Sequence, residues 1–292
     1  MGLDLHTLRF VMDAWENGAD FSEVATLGRQ HINVSREKYV KEAARYGVPT
    51  DSASVEDAFS EYPFCDGIMR QLGARTPYSI DGSEFEGATH VADMNEALPP
   101  EMSGRFTTLI DGGALEHIFD VKQTFRNVGA MLVTGGHFLS INVANNFMGH
   151  GFYQFSPELF FRAFSRENGF EIEEMILTET NDDGIWYDVI DPAVAGRRVQ
   201  LVNNSKTYIM MRARKIADVE MFTKAPQQSD YQEIAWKKET QDEELPFLKR
   251  PWYQRAVENY LPRPGRIALR RLRQSSRKHF ASPDLRPRPP FS

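Results

Sequence analysis

"RFTTLIDGGALEHIFDVKQTFRNVGAMLVTGGHFLSINV", residues 105–143, is the stretch on which the fold turns. Phe106 to Ile110 is a short apolar, β-branched run that ends in Asp111 and two glycines, the pattern of a buried strand followed by a tight turn. Val121, Phe125, Val128 and Leu132 then recur at i, i+4, i+7 and i+11, which is one face of a helix. Gly135 and Gly136 turn the chain into a second apolar run, "HFLSINV" (137–143). Strand, helix and strand in this order form one unit of an α/β sheet, which buries such strands from both sides.

The same alternation extends outward. "SEVATLGRQHINVS" (22–35) holds a strand over 23–28, and "SREKYVKEAARYG" a helix with Ser35 as N-cap and Gly47 beyond its last turn. Residues 49–75 form a polar stretch followed by a helix around "DGIMRQLGA". "TPYSIDGS" gives a strand ending at Asp81, and "GATHVADMN" one ending near Asp93. "FSPELFFRAFSRENGF" is a helix with Ser156 as N-cap, Pro157 at its first position and Gly169 as its stop. "FEIEEMIL" and "KTYIMMRARK" close the sheet as strands. At the N-terminus, Leu5, Leu8, Val11, Met12 and Trp15 form the apolar stripe of a helix that packs on the domain. The expected organisation is an N-terminal helix over 1–20, an α/β domain over 21–215 and an extension over 216–292. The sheet is expected to be mostly parallel and twisted, with helices on both faces.

At 292 residues and 41% hydrophobic, the chain can bury one sizeable α/β core and still carry extensions. It has no apolar run near 18 residues, and "MGLDLHTLRF" lacks the features of a secretory or myristoylation signal, so a cytoplasmic location is expected. The single Cys65 excludes an internal disulfide and a zinc site of paired cysteines, and its flanks suggest a packed thiol. Twelve of the 34 basic residues but only two of the 41 acidic ones lie between Lys249 and Ser292, so the body is acidic and the tail basic. An acidic body argues against non-specific nucleic-acid binding, which needs a cationic surface. Residues 225–246 are polar and acidic, and the Pro- and Arg-rich end suggests a wrapping or partly disordered extension. Its segment "RIALRRLRQSSRKHF" (266–280) is either a solvated charge run or a weak contact to an anionic membrane surface or an acidic partner, such as the protein's own body.

The order of these pieces resembles the class I S-adenosylmethionine-dependent methyltransferases over residues 20–213. The stretches that carry the resemblance are 109–143, with its "LEH" helix start and Gly-Gly turn, and "HGFYQFSPELFFRAFSRENGFEIEEM" (150–175). The combination is also similar to bacterial methyltransferase-domain proteins of surface-glycan and glycosylation clusters. The resemblance implies a Rossmann-like class I methyltransferase fold, S-adenosylmethionine as cofactor and a small-molecule or sugar-type acceptor. Ligands of such sheets sit outside the carboxyl ends of the strands, where strand order reverses. Gly28, Asp81, Asp93, Asp111 and Gly112 fall at those ends. Asp81 is the expected ribose ligand, since a carboxylate accepts two hydrogen bonds from a diol, although Asp also suits the turn "IDGS". Asp93 would lie near the adenine. Asp111, Gly112 and Gly113 would line the place where methyl group and acceptor meet, and glycines there allow close approach.

Two histidines are candidates for proton transfer. His150, between Gly149 and Gly151, stands on the rim beyond the fifth strand, where a neutral imidazole can take a proton from a sugar hydroxyl or else bond the backbone. His117, after Glu116, is either a second such group or a capping residue. No metal site is expected. The resemblance is broken in the first loop, where alternating glycines give way to Gly28, Arg29, Gln30, His31 and Ile32. Either Arg29 replaces the lost backbone contacts by pairing with the cofactor's carboxylate, or the pocket is blocked and the domain is a catalytically silent binding or assembly module. The link between the second and third strands is also too short for a helical crossover. A nicotinamide dehydrogenase is disfavoured, because the glycine fingerprint is incomplete. Acceptor choice is expected to lie in the loops 144–155 and 180–204.

Overall fold

A computed structural model describes residues 2–181, 185–199, 201–232 and 285–288. In chain order the elements are α1 (Leu5–Glu16), β1 (Val24–Leu27), α2 (Arg36–Arg45), α3 (Ser52–Ala58), α4 (Asp66–Gln71), β2 (Tyr78–Asp81), β3 (His90–Val91), β4 (Phe106–Asp111), α5 (Val121–Met131) and β5 (Leu132–Asn145). They continue with α6 (Pro157–Ala163), β6 (Phe170–Glu179), β7 (Trp186–Val189), α7 (Pro192–Ala195), β8 (Thr207–Lys215), α8 (Ser229–Gln232) and β9 (Leu285–Arg288).

One sheet runs β3-β2-β1-β4-β5-β8-β6-β7-β9. From β3 to β5 neighbouring strands are parallel, and from β5 to β9 they are antiparallel. The chain steps outward from β1 to β2 and β3, then returns to place β4 on the other side of β1. Strand order therefore reverses between β1 and β4, which opens a crevice at their carboxyl ends. Side chains alternate across the sheet, and two apolar cores result. One joins Val24, Ile110, Leu139 and Ile141 to the helices α1–α4; the other joins Ala25, Leu27, Leu109 and Phe138 to α5 and α6.

Local chemistry explains several boundaries. Ser35 and Ser156 accept the N–H bonds of Lys38 and Glu158 and so start α2 and α6. The helix expected through residue 168 instead ends at Ala163, because the Asn168 amide donates to the Ala163 carbonyl at 2.9 Å and captures the end of the last turn. α3 was hidden in a polar stretch: it buries only Ala58, and the Asp51 side chain holds its first N–H groups. Helix α1 is buried all round from His6 to Met12, not only along its apolar stripe, since Arg9 on its other side pairs with buried Glu42 at 3.0 Å. β2 and β3 are parallel neighbours although residues 82–89 form no helix. Side-chain bonds between Ser79 and Thr89, one as short as 2.7 Å, tie the two ends of that link together.

Beyond residue 215 the chain still packs on the domain: Met221 and Phe222 are buried, and Gly129 of α5 leaves the space that Met221 occupies. β9 adds an outer strand against β7, where Arg288 bonds Glu174 at 2.6 Å and Asp188 at 3.1 Å. This part of the basic tail thus meets the protein's own acidic surface; the segment 266–280 lies outside the described residues. No helix among the described residues is long and apolar enough to cross a membrane.

Candidate functional site

The carboxyl edge of the sheet brings three features together. The first is the crevice between β1 and β4. Gly28 follows β1 with φ +70°, and its amide donates to the Ile80 carbonyl at 2.7 Å. Asp81 ends β2 beside it: one carboxylate oxygen accepts the Ser83 N–H at 2.9 Å, and the other faces Gly28, 3.8 Å from where a Cβ would stand. Asp81 thus makes the turn and still presents an oxygen to the crevice.

The bulky residues of the first loop have definite places. Gln30 is buried, and its amide lies between the two strand ends, donating to the Leu27 carbonyl at 2.6 Å. A Cβ on Gly112 would sit 2.6 Å from the Gln30 Oε1, so Gly112 is the residue that admits Gln30. Arg29 does not reach into the crevice. Its guanidinium stacks 3.9 Å over Phe64, donates to the Glu86 and Gly87 carbonyls at 2.9 and 3.2 Å, and stands 3.6 Å from Asp66. His31 pairs with Glu86 at 3.1 Å. Together they clamp the β2–β3 link over the loop.

Asp111 is fully buried, and both of its carboxylate oxygens are engaged. They accept bonds from the Ala114 and Leu115 N–H groups at 2.8 and 3.3 Å, and from Ser140 and Asn142 at 3.1 and 2.6 Å. Its carboxylate therefore shapes the turn and does not face a ligand, because four donors leave it no free acceptor direction. Burial raises its pKa against those donors. Asp93 is exposed and spends one oxygen on the Asn95 N–H and side chain, which lower its pKa.

The second feature is a cluster beyond β4 and β5. Glu116 is completely buried, and neither carboxylate oxygen has a hydrogen-bond partner among the described residues. Burial, with the charge of Asp111 as second cause, pushes its pKa up to about 8. His150 Nε2 lies 3.8 Å and His117 Nε2 4.0 Å from the same Glu116 oxygen, and both rings are half-exposed. Burial and the neighbouring His150 lower the pKa of His117. The 147–152 loop places His150 here by touching the β4 turn directly: the Phe152 N–H donates to the Glu116 carbonyl at 2.7 Å. Gly151 has φ +104°, and a Cβ on it would meet that carbonyl at 2.6 Å, so only glycine permits the approach.

The third feature is a cavity of about 380 Å³ over β5, β8 and β6. Its walls come from 144–145, 154–158 and 228–229 with Pro192, Arg198, Val199 and Leu201, closed by Leu177 and Thr207. Apolar Phe155, Val199 and Leu201 alternate there with Asn145, Gln154 and Arg198, and the volume suits a small ligand with a few polar groups.

Of the residues singled out in the sequence, the fold gathers Gly28, Asp81 and Gly112 at one crevice and His117 and His150 at one cluster. It turns Arg29 and Asp111 to supporting roles and leaves Asp93 on the surface. Of the three bulky residues that the sequence offers as occupants of the crevice, it is Gln30 that lies there, whereas Glu116 as the centre of the histidine pair is not legible in the sequence. The signal for Glu116 was its place in "LEH" opposite the glycine-flanked His150, but a buried and unbonded carboxylate cannot be read from spacing.

No family model matches the sequence, and no curated protein matches it. Solved structures similar to it include an S-adenosylmethionine-dependent methyltransferase from Mesorhizobium loti, 15% identical, covering 72% of this chain and 98% of that one, with a TM-score of 0.39. Another is a 1,6-didemethyltoxoflavin-N1-methyltransferase from Burkholderia thailandensis with bound S-adenosylhomocysteine, 13% identical, covering 73% and 78%, with a TM-score of 0.37. A third is the YcgJ protein of Bacillus subtilis, 10% identical, covering 73% and 100%, with a TM-score of 0.40. The strand order, with its reversal between β1 and β4 and parallel pairing from β3 to β5, is that of a Rossmann-like α/β sheet.

Proposed function

We propose that the protein is an S-adenosylmethionine-dependent methyltransferase acting on a small-molecule or sugar-type acceptor. One observation carries the reading: the crevice at β1, β2 and β4, the Glu116 cluster and the acceptor-sized cavity lie side by side on the carboxyl edge of the same sheet. Asp81, whose second oxygen faces Gly28, and Gly28 with its bare backbone fit an adenosine ribose. When bound, the cofactor supplies an already activated methyl group, so the protein's task is alignment and removal of one proton. The cavity walls at 144–145 and 154–158, with Arg198, Val199 and Leu201, orient the acceptor, and His150, exposed beside Glu116, takes the hydroxyl proton. A cytoplasmic role in glycan synthesis belongs to the same proposal, on the resemblance of the combined stretches 109–143 and 150–175 to methyltransferase-domain proteins of glycan clusters.

Gln30 favours a second reading. Its buried amide lies in the crevice between Leu27 and Gly112, and a domain that keeps it there is a binding module without transfer activity. Calorimetric titration with S-adenosylhomocysteine separates the two. The enzyme reading expects micromolar binding, weakened at least tenfold by Asp81→Ala. Absence of heat at millimolar ligand favours the silent module.

A further inference from the structure

Glu116, His117 and His150 form a group whose ligand atoms all lie within 4.8 Å of one another. The three do not hydrogen-bond: 3.8 and 4.0 Å from the Glu116 oxygen to the two Nε2 atoms exceed any such bond. They surround a space instead of closing it. A carboxylate with no solvent exposure and no donor on either oxygen is costly to bury, and neither oxygen has a partner among the described residues. An ion seated between the three would repay that cost.

We propose that Glu116, His117 and His150 bind a single divalent cation of the zinc type. Two imidazoles and one carboxylate are the donor set of open zinc sites, which keep a fourth position for an exchangeable ligand. With zinc to ligand distances near 2.1 Å, tetrahedral donors stand about 3.4 Å apart, so the two histidines close on Glu116 by roughly half an ångström on binding and on each other by no more than about 1.4 Å. The half-exposed imidazoles can make that movement, while Glu116, fixed by burial, serves as the anchor. Imidazole donors favour zinc over magnesium, which prefers an all-oxygen shell. The open position faces solvent at the rim, where an acceptor hydroxyl can occupy it. In the loaded protein the histidines act as ligands, and coordination takes over the acidification of that hydroxyl. Cation binding itself does not rest on the methyltransferase reading.

The test uses untagged full-length protein, stripped by chelator and titrated with zinc chloride, manganese chloride or magnesium chloride by calorimetry. Cobalt(II) absorption in the visible range reports coordination independently. The expected result is one zinc per chain, affinity at least tenfold weaker in both Glu116→Gln and His150→Ala, and much weaker magnesium binding. His150→Ala alters a half-exposed loop side chain, so it reads the site even where Glu116→Gln disturbs folding. Absence of zinc binding, or native affinity in His150→Ala, overturns the proposal. Titration of the same preparation with S-adenosylhomocysteine keeps the two readings apart, since either ligand can bind while the other fails.

Discussion

Gly112→Ala tests whether Gln30 truly occupies the crevice. The added methyl group would stand 2.6 Å from the Gln30 Oε1 and 3.0 Å from its Cδ, against an ordinary contact of 3.4 Å or more. Gln30 must therefore retreat by most of an ångström. It is 7% exposed and its Nε2 is bonded to the Leu27 carbonyl at 2.6 Å, so it has no free path outward. Either the bond breaks, at about 0.5–1.5 kcal/mol, or the strand ends strain apart, at about 1–3 kcal/mol for overpacking. For a domain of this size each kcal/mol lowers the melting temperature by about 2–4 °C, so a fall of roughly 1–12 °C is expected in differential scanning calorimetry. The decisive comparison is a double-mutant cycle. In a Gln30→Ala background the space is vacant, and Gly112→Ala should cost measurably less than in the native background, a coupling of about 0.5–3 kcal/mol. Equal cost in both backgrounds would refute the placement of Gln30. The same Gln30→Ala protein should bind S-adenosylhomocysteine more tightly than the native chain if the amide obstructs the crevice.

Asp13 gives a pH-dependent outcome. Burial first, then the charge of Glu174, raise its pKa from 3.8 to about 6, against the pull of Arg212 and Arg288. The folded state thus holds a proton that the unfolded chain has already released, and stability falls as pH rises from about 4 to 6. Asp13→Asn removes this component, so the melting temperature of the variant relative to native should rise between pH 4 and 7; a constant difference would contradict it. Cys65 is 2% exposed, and burial pushes its thiol well above the usual range. Iodoacetamide should therefore modify it only in denaturant, and rapid labelling of the native protein at pH 8 would show that the α4 region opens readily.

Periodicity and punctuation made much of the architecture legible. Val121, Phe125 and Val128 marked α5, and Ser35, Ser156 and Pro157 marked helix starts, because caps and apolar spacing are local properties of neighbouring residues. Asp81 and Gly28 could be placed at strand ends for the same reason. Helix α3 escaped because a polar helix with one buried residue has no stripe to read. β9 was out of reach as well, since pairing an Arg- and Pro-bearing segment with β7 depends on Glu174 and Asp188, far away in sequence.

The residues alone thus determined an α/β sheet, the positions of its carboxyl ends and the polar groups waiting there, all consequences of short-range backbone and burial preferences. Only the tertiary structure decided what those groups do. It sent Arg29 to Phe64 and Asp66, Gln30 against Gly112, Asp111 under four donors, and Glu116 between His117 and His150. Whether a polar side chain is spent on the scaffold or left for a ligand depends on which distant donors and acceptors folding brings within about 3 Å of it, and sequence spacing does not encode that.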